Sequence, residues 1–461
     1  MTSRIPASTA PVTGVDATVP SWRDHWFPVA FAQDVPADRP VRVEVWGEAY
    51  ALFRDGEGQL RALRDRCPHR AARLSDGRVR DGRLECLYHG WRFDGDGTCR
   101  HIPQLEAGQA IPAAACARAA ATAVRQGIVW LHGGDDAGVD PATIPVCDAL
   151  ERDGCRTIDF AMDLPYAQEF LIENVLDYAH IHIAHDGVRG GGHAALAGPL
   201  AFAFDRRDTD GFSAHIGRSA DGRLDSGALR AAEVTFEAPG LVHYQSVYER
   251  GGGAPRVAGL LLYSLPLDRG RCRLLYRAYS NFWTLRDRLR PRFWEHGHQC
   301  HLLEQDMAVV VGQSDNLARG RETLGHAWLP LKSSDALVVA YRSWIDEHDA
   351  ERPDHLGLRT RGDAVGAAAP DGPIDRWHLH ARHCASCRRA VAVAAVMHGW
   401  TPVAIVALLA AAALLDGWWR VAAAAAAVVC ALGGTALAAL HRRLTGAPPP
   451  GKPEPPSSPV P

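Results

Sequence analysis

The stretch that decides the fold opens at Arg66-Cys67-Pro68-His69-Arg70. It resumes, after sixteen intervening residues, at Cys86-Leu87-Tyr88-His89-Gly90-Trp91-Arg92-Phe93-Asp94-Gly95-Asp96-Gly97. Two cysteines and two histidines alternate here, as C-x-H and then C-x-x-H. Zinc fingers usually place Cys beside Cys and His beside His. The alternating order suits two loops that each give one ligand to each of two metals. Asp94-Gly95-Asp96-Gly97 is a tight-turn signal. The runs around it, Val41 to Leu52 and Leu84 to Phe93, are short and punctuated by Gly and Asp. Residues 21–140 are therefore expected to form a small antiparallel β domain that carries both loops.

In a Rieske [2Fe–2S] cluster, two thiolates hold one iron and two imidazoles hold the other, and the exchange of thiolate for imidazole raises the potential. Cys67, His69, Cys86 and His89 supply that ligand set. A structural Cys₂His₂ zinc site is the competing reading. Ligand order, and the Gly90-Trp91-Arg92-Phe93 run into a turn, favour the cluster. Nearby, Cys99 and His101 read as a core thiol and a surface imidazole.

A second dense segment is Glu173-Asn174-Val175-Leu176-Asp177-Tyr178-Ala179-His180-Ile181-His182-Ile183-Ala184-His185. Two His and one carboxylate on one face of an iron leave open positions for oxygen and substrate. At about 100° per residue, Asp177 and His180 share a helical face, and His182 points elsewhere. His185 lies about 140° from His180 in a regular helix, so the helix must end, kink or bulge between them. A helix with three packed or solvated histidines is the plain alternative. The missing carboxylate is sought in Glu304-Gln305-Asp306, where Asp306 is preferred and Glu304 is the near competitor.

Around these motifs the chain divides by texture. Residues 1–20 have no continuous apolar run and read as a disordered tail, not a signal peptide. Residues 141–350 are expected to form an α+β catalytic domain, with a helix over Tyr166 to His185. Strands are expected at Leu241 to Tyr248, Leu260 to Leu265 and Cys272 to Phe282, the last two joined through Pro266 to Arg271. A second helical region follows at Leu285 to Val311, and an apolar strand at Ala336 to Tyr341 closes the domain. Residues 351–389 read as a linker that ends in Cys384-Ala385-Ser386-Cys387. His378, His380 and His383 crowd this CxxC, which admits three readings: a redox pair, a small zinc clip, or two free thiols. Residues 390–441 are expected to be a transmembrane helical hairpin, from Val391 to Leu415 and Val421 to Leu440, turning at Asp416-Gly417-Trp418-Trp419-Arg420. Arg388, Arg389, Arg442 and Arg443 flank its outer ends, which places both ends in the cytoplasm. Residues 442–461 read as a disordered Pro-rich tail.

Composition narrows the function classes. A net charge of −3 over 461 residues, with no basic block, speaks against nucleic-acid binding. Eleven scattered cysteines in a long chain are not a disulfide scaffold, which is in keeping with a reducing compartment.

Taken together, His25-Trp26-Phe27-Pro28-Val29-Ala30-Phe31, the two ligand loops, Glu169 to His185, Glu304 to Asp306 and the closing Ser333 to Trp344 resemble the Rieske non-haem iron oxygenases. The surroundings of the cluster loops, ending at Ile102-Pro103-Gln104, and a CxxC ahead of membrane segments resemble the pheophorbide a oxygenase and chlorophyllide a oxygenase branch. The resemblance implies an antiparallel Rieske domain followed by a helix-grip-like catalytic domain. It implies that Cys67, His69, Cys86 and His89 hold the cluster, and that His180, His185 and Asp306 hold a mononuclear Fe(II). Asp177 would relay electrons between the metals, and Asn174 would be a polar group near the iron.

The expected partners are O₂, a ferredoxin or flavin-type reductase, a bulky hydrophobic small molecule of tetrapyrrole type, the lipid bilayer, and further copies of the chain in a homotrimer. One departure from the family pattern is the Gly-rich run Asp186 to Gly192 after His185, expected to border the pocket. The exact substrate of the plant members is therefore not implied for this chain. Oxidation of a sterol or a pyrrolic natural product by the same site, and a membrane-bound Rieske electron carrier or redox sensor without oxygen chemistry, are the competing functions.

Overall fold

The computed structural model describes residues 24–134, 139–188, 191–218, 229–248, 255–350, 352, 354–363, 366–367 and 374–446. The expected tails, 1–20 and most of 442–461, lie outside these residues, as does part of the expected linker.

The chain opens with short strands: β1 (Trp26–Phe31), β2 (Val41–Val45), β3 (Glu48–Arg54), β4 (Leu60–Arg64), β5 (Arg78–Arg80), β6 (Arg83–Glu85), β7 (Arg92–Phe93), β8 (Cys99–His101), β9 (Ala119–Ala120), β10 (Thr122–Arg125) and β11 (Ile128–His132). They form antiparallel sheets in the orders β1, β11, β10; β2, β3, β4, β9; and β5, β6, β7, β8. The turn at Asp94 to Gly97 links β7 to β8. A Cβ on Gly97, whose φ is +83°, would lie 2.0 Å from the carbonyl oxygen of Ala117, so the turn needs glycine there.

The larger sheet holds β12 (Arg156–Leu164), β13 (Leu200–Asp208), β14 (Gly211–Arg218), β15 (Leu229–Glu237), β16 (Leu241–Tyr248), β17 (Arg256–Asp268) and β18 (Arg271–Ser280). Its order is β12, β18, β17, β16, β15, β14, β13. A meander from β13 to β18 is thus capped by β12 at the far edge, so the chain must cross the sheet between β12 and β13. That crossing is made by α1 (Gln168–Leu176) and α2 (Ile181–Ala184). Later helices are α3 (Leu285–Leu289), α4 (Arg292–Arg319), α5 (Leu324–Ala327), α6 (Ala336–His348), α7 (Arg376–Leu379), α8 (Ala385–Leu414) and α9 (Gly417–Thr445).

Strand alternation gives the sheet two buried faces. Phe160, Met162, Leu164, Phe212, Phe236 and Leu274 pack against α1, α4 and α6 through Phe170, Leu171, Met307, Val310, Leu337 and Tyr341. Leu261, Tyr263, Leu265, Leu275 and Tyr279 pack the other way, against Phe27, Val43, Leu52 and Trp130 of the N-terminal strands.

Three sequence expectations are corrected. Ala336 to Tyr341 is not a strand but the start of α6; its buried Leu337, Val338, Tyr341, Arg342 and Ile345 follow helical spacing. A six-residue apolar window does not separate the two periods. The helix expected over Tyr166 to His185 ends at Leu176, and a separate turn, α2, follows. The break therefore comes before His180, and not only between the histidines. Pro266 and Leu267 stay in β17, which pairs Asp268 with Arg271, so the hairpin connection is only Arg269-Gly270.

Helices α8 and α9, of 30 and 29 residues, exceed the roughly 20 needed to cross a hydrocarbon core, and little of their apolar surface is covered by protein. α8 begins earlier than the sequence indicated, at Ala385. The helices meet closely at Gly434, where a Cβ would lie 2.5 Å from Cγ2 of Thr401. Trp418 and Trp419 are exposed at the start of α9. At the opposite end, the Arg443 guanidinium sits 4.8 Å from the Trp294 ring centre, and Arg376 binds both oxygens of Glu304 at 2.5 Å. Helix α4 is thereby fastened to the foot of the hairpin.

Candidate metal centres

The first candidate centre forms where two loops meet. The loop after β4 is closed by Ala71 N–H donating to the Cys67 carbonyl at 2.9 Å. The loop between β6 and β7 is closed by Gly90 N–H donating to the Cys86 carbonyl at 3.0 Å. Both turns use left-handed backbone, at Ala71 (φ 58°) and Gly90 (φ 73°). A Cβ on Gly90 would press on Pro103 at 3.1 Å. Gln104 donates from Nε2 to the His89 carbonyl at 3.0 Å and accepts from the Trp91 indole at 3.3 Å. Pro103-Gln104 therefore forms a third wall.

The four side chains sort into two pairs. Cys67 and Cys86 are buried, and burial, with the neighbouring Cys86 sulfur, pushes the Cys67 thiol up to about 11. A cationic metal centre reverses that cost by binding the thiolate. The rings of His69 and His89 lie 4.5 Å apart, and Trp91 stacks on His69 at 4.6 Å. His69 is exposed. A buried sulfur pair with an outward imidazole pair fits a cluster of two unlike irons. Leu87 and Tyr88, 64% and 57% exposed, lie beside the imidazole edge.

The second centre is built on α1, α2 and α4. Asp177 leaves the helical path at the end of α1, with ψ 89°. Its Oδ1 accepts from the amides of Ala179 at 2.9 Å and His180 at 3.3 Å, which turns the chain and starts α2. His180 and His185 then stand at the two ends of α2. Nε2 of His180 lies 3.5 Å, and Nε2 of His185 3.1 Å, from the same oxygen, Oδ1 of Asp306. One ligand atom from each of the three residues falls within 4.8 Å of the others. Burial raises the Asp306 carboxyl against the pull of both imidazoles and lowers the protonation of His180. Two imidazoles facing a buried carboxylate form a donor set that a divalent cation satisfies.

The surrounding groups have separate tasks. Asn174 hydrogen-bonds Asp306. Asp177 Oδ2 lies 3.7 Å from Nδ1 of His180, and that nitrogen is buried without a hydrogen-bond partner. Burial pushes the Asp177 carboxyl up to about 6. His182 does not join the set; its Nδ1 faces the His193 amide at 3.4 Å. Glu304 is occupied by Arg376. Of the Gly-rich run, Arg189 and Gly190 lie outside the described residues. Gly191 and Gly192 pack so closely on His185 and His182 that a Cβ on either would meet a histidine atom at 2.4 Å.

A cavity of about 330 Å³ opens over His180 and Asp306, lined also by Asn174, Asp177, Val309, Trp328, Leu329 and Val338 among others. Leu329, 91% exposed, stands at its rim. A larger cavity of about 970 Å³, lined by Asp210, Glu233, Glu237 and Arg352, contains none of these ligands.

Two contributors were not singled out from the sequence. Gln305 accepts from Nδ1 of His185 at 2.9 Å; its place between Glu304 and Asp306 was the available signal. Arg342, fully buried on α6, binds Glu173 at 2.5 Å and Glu169 at 3.3 Å, and so holds α1 behind Asn174 and Asp177. Cys384 and Cys387 lie apart from both centres, buried beside His296 and His380. His378 turns away to Asp375, and His383 to Asp163.

With this geometry in place, comparison with known proteins is informative. Residues 25–117 match the Rieske [2Fe-2S] domain family, and residues 236–323 match the pheophorbide a oxygenase family. The chain is 33% identical to protein TIC 55, chloroplastic, of Arabidopsis thaliana, over 80% of this chain and 72% of that protein. It is 29% identical to pheophorbide a oxygenase, chloroplastic, of Oryza sativa subsp. japonica, over 84% and 76%. Among solved structures, dicamba monooxygenase superposes with a TM-score of 0.56 at 21% identity, covering 71% of this chain and 98% of that one, which shows the shared fold.

Proposed function

The chain belongs to the Rieske non-haem iron oxygenases of the pheophorbide a oxygenase branch, and on that premise we propose that it oxidises a bulky tetrapyrrole-like substrate with O₂ and electrons from an external ferredoxin or flavin reductase. The family's cofactors are a Rieske [2Fe–2S] cluster and a mononuclear iron. We assign Cys67, His69, Cys86 and His89 to the first, and His180, His185 and Asp306 to the second. When bound, the cluster supplies single electrons and the iron activates O₂.

The observation that carries the proposal is the convergence of His180 and His185 on one oxygen of Asp306 under a partly apolar cavity. A pure electron carrier has no use for such a set. Its cavity is near the small end of ligand pockets. A flat macrocycle therefore presents one edge to the iron and leaves the rest against Trp328, Leu329 and Val309. Asn174 orients Asp306. Asp177, beside the outer nitrogen of His180, is the relay toward a cluster held by a neighbouring copy in a homotrimer. The exposed Leu87 and Tyr88 beside His89 supply the docking edge for that contact.

We also place α8 and α9 across a bilayer, with the catalytic domain and both hairpin ends on the cytoplasmic side. Arg388, Arg389, Arg442 and Arg443 flank that side, and the exposed Trp418 and Trp419 sit at the far interface. An apolar substrate then reaches the site from the membrane.

The test is O₂ uptake by the full-length protein in detergent, with a reductase system and either pheophorbide a or chlorophyllide a. Uptake that depends on the tetrapyrrole supports the proposal. Uptake driven only by a sterol or another apolar compound overturns the substrate assignment.

A further inference from the structure

His296, His380, Cys384 and Cys387 come together away from both oxygenase centres. One donor atom from each lies within 4.8 Å of the others, and all four residues are buried. The four come from three places in the fold: His296 from α4, His380 from the end of α7, and the two cysteines from the first turn of α8. Their exposures are 0%, 1%, 3% and 0% in that order.

The donor directions are set by a second layer. His296 donates from Nε2 to the Asp159 carbonyl at 2.8 Å, which leaves the Nδ1 lone pair facing inward. His380 donates from Nδ1 to the Ala161 carbonyl at 2.6 Å, which leaves Nε2 facing inward. Both carbonyls belong to β12. Metal-bound histidines are commonly oriented by backbone carbonyls in this way. The inward atoms meet the sulfurs: Nδ1 of His296 lies 3.5 Å from Sγ of Cys384 and 3.4 Å from Sγ of Cys387, and Nε2 of His380 lies 3.3 Å from Sγ of Cys387.

These separations are informative. Zinc bonds of about 2.0–2.1 Å to nitrogen and 2.3 Å to sulfur, opened to the tetrahedral angle, put N and S about 3.5 Å apart. A simple thiol-to-imidazole hydrogen bond explains one sulfur at His296 Nδ1. It does not explain two, because that nitrogen has a single lone pair.

We propose that His296, His380, Cys384 and Cys387 form a third metal centre, a closed Cys₂His₂ zinc site that rivets the catalytic domain to the foot of the membrane hairpin. Four protein ligands and no open position mark a structural site, not a catalytic one. Binding expels the two thiol protons to solvent and involves no redox change. A dithiol switch is disfavoured by burial, since a protein reductant cannot reach sulfurs that are 3% and 0% exposed. His296 stands ten residues before Asp306 on the same helix, on the order of 15 Å away by helical rise. The rivet thus holds the helix that carries the iron's carboxylate.

The experiment is metal analysis and zinc-edge X-ray absorption on the full-length protein in detergent, using preparations whose Rieske EPR signal integrates fully, so that zinc is not in the cluster site. The expected result is about one zinc per chain with a shell of two sulfurs and two nitrogens. The Cys384→Ser/Cys387→Ser double variant should lose that zinc and keep the Rieske signal. Should the variant fail to accumulate, the wild-type spectrum decides. Protein produced with ample zinc that holds none, a zinc shell without sulfur, or a Cys384–Cys387 disulfide in the purified protein would each overturn the site.

Discussion

Gln305 and His185 are partners: the amide oxygen Oε1 lies 2.9 Å from the imidazole Nδ1. The bond fixes the proton on Nδ1 and turns Nε2 toward Asp306, 3.1 Å away. Outer partners of this kind typically contribute 10–100-fold to metal affinity. Gln305→Leu should therefore weaken mononuclear iron binding by about 10–100-fold and leave the cluster untouched. Iron titration of the variant, followed by activity and by cluster absorbance, checks both halves. Unchanged iron affinity would show that the contact is incidental.

Asp177 does a different job. It caps the turn into α2 with Oδ1 and presents Oδ2 to the outer nitrogen of His180. Asp177→Asn preserves a turn-capping oxygen and removes the charge. Both metals should remain bound, while the reduced cluster no longer delivers its electron to the iron. Stopped-flow reoxidation of the cluster in the presence of substrate and O₂ reads this directly; wild-type rates in the variant would remove Asp177 from the path.

The pair Arg342 and Glu173 sits in the protein interior, and Glu169 completes the cluster. Removing one member of a buried ion pair strands the other charge, at about 3–5 kcal/mol. Arg342→Met should lower the thermal midpoint sharply and cost iron occupancy through α1, since α1 carries Asn174 and precedes Asp177. A midpoint within a degree or so of wild type would mean that the ion pair is not stabilising α1.

How much of this was legible in the sequence follows the range of the interactions. The Rieske loops are local: the turn at Asp94 to Gly97 and the short runs punctuated by Gly and Asp predicted a β domain, and ligand order singled out Cys67, His69, Cys86 and His89 within it. His180 and His185 were also within reach, because one turn of chain separates them. The break at Asp177 was not, since it depends on a side chain capping the amides of Ala179 and His180. The strand expected at Ala336 to Tyr341 failed because Leu, Val and Ala in a short run fit either period, and only Tyr341 and Ile345 in the core and Arg342 on α1 select the helix. Arg342, and His296 beside the CxxC, act across more than 80 residues of chain; no spacing rule reaches that far. The sequence preferred Asp306 with Glu304 as the near competitor, and only the fold shows Arg376 of α7 paired with Glu304.

On the assignments above, one chain carries two independent iron centres with separate ligands. The most direct measurement is iron quantitation together with EPR of the reduced protein, on wild type and His185→Ala. The expected result is a rhombic mixed Cys/His cluster signal of equal intensity in both proteins, with the variant lacking the mononuclear iron and all oxygenase turnover. An all-thiolate signal in the wild type, or a variant that keeps its full iron content and activity, would contradict it.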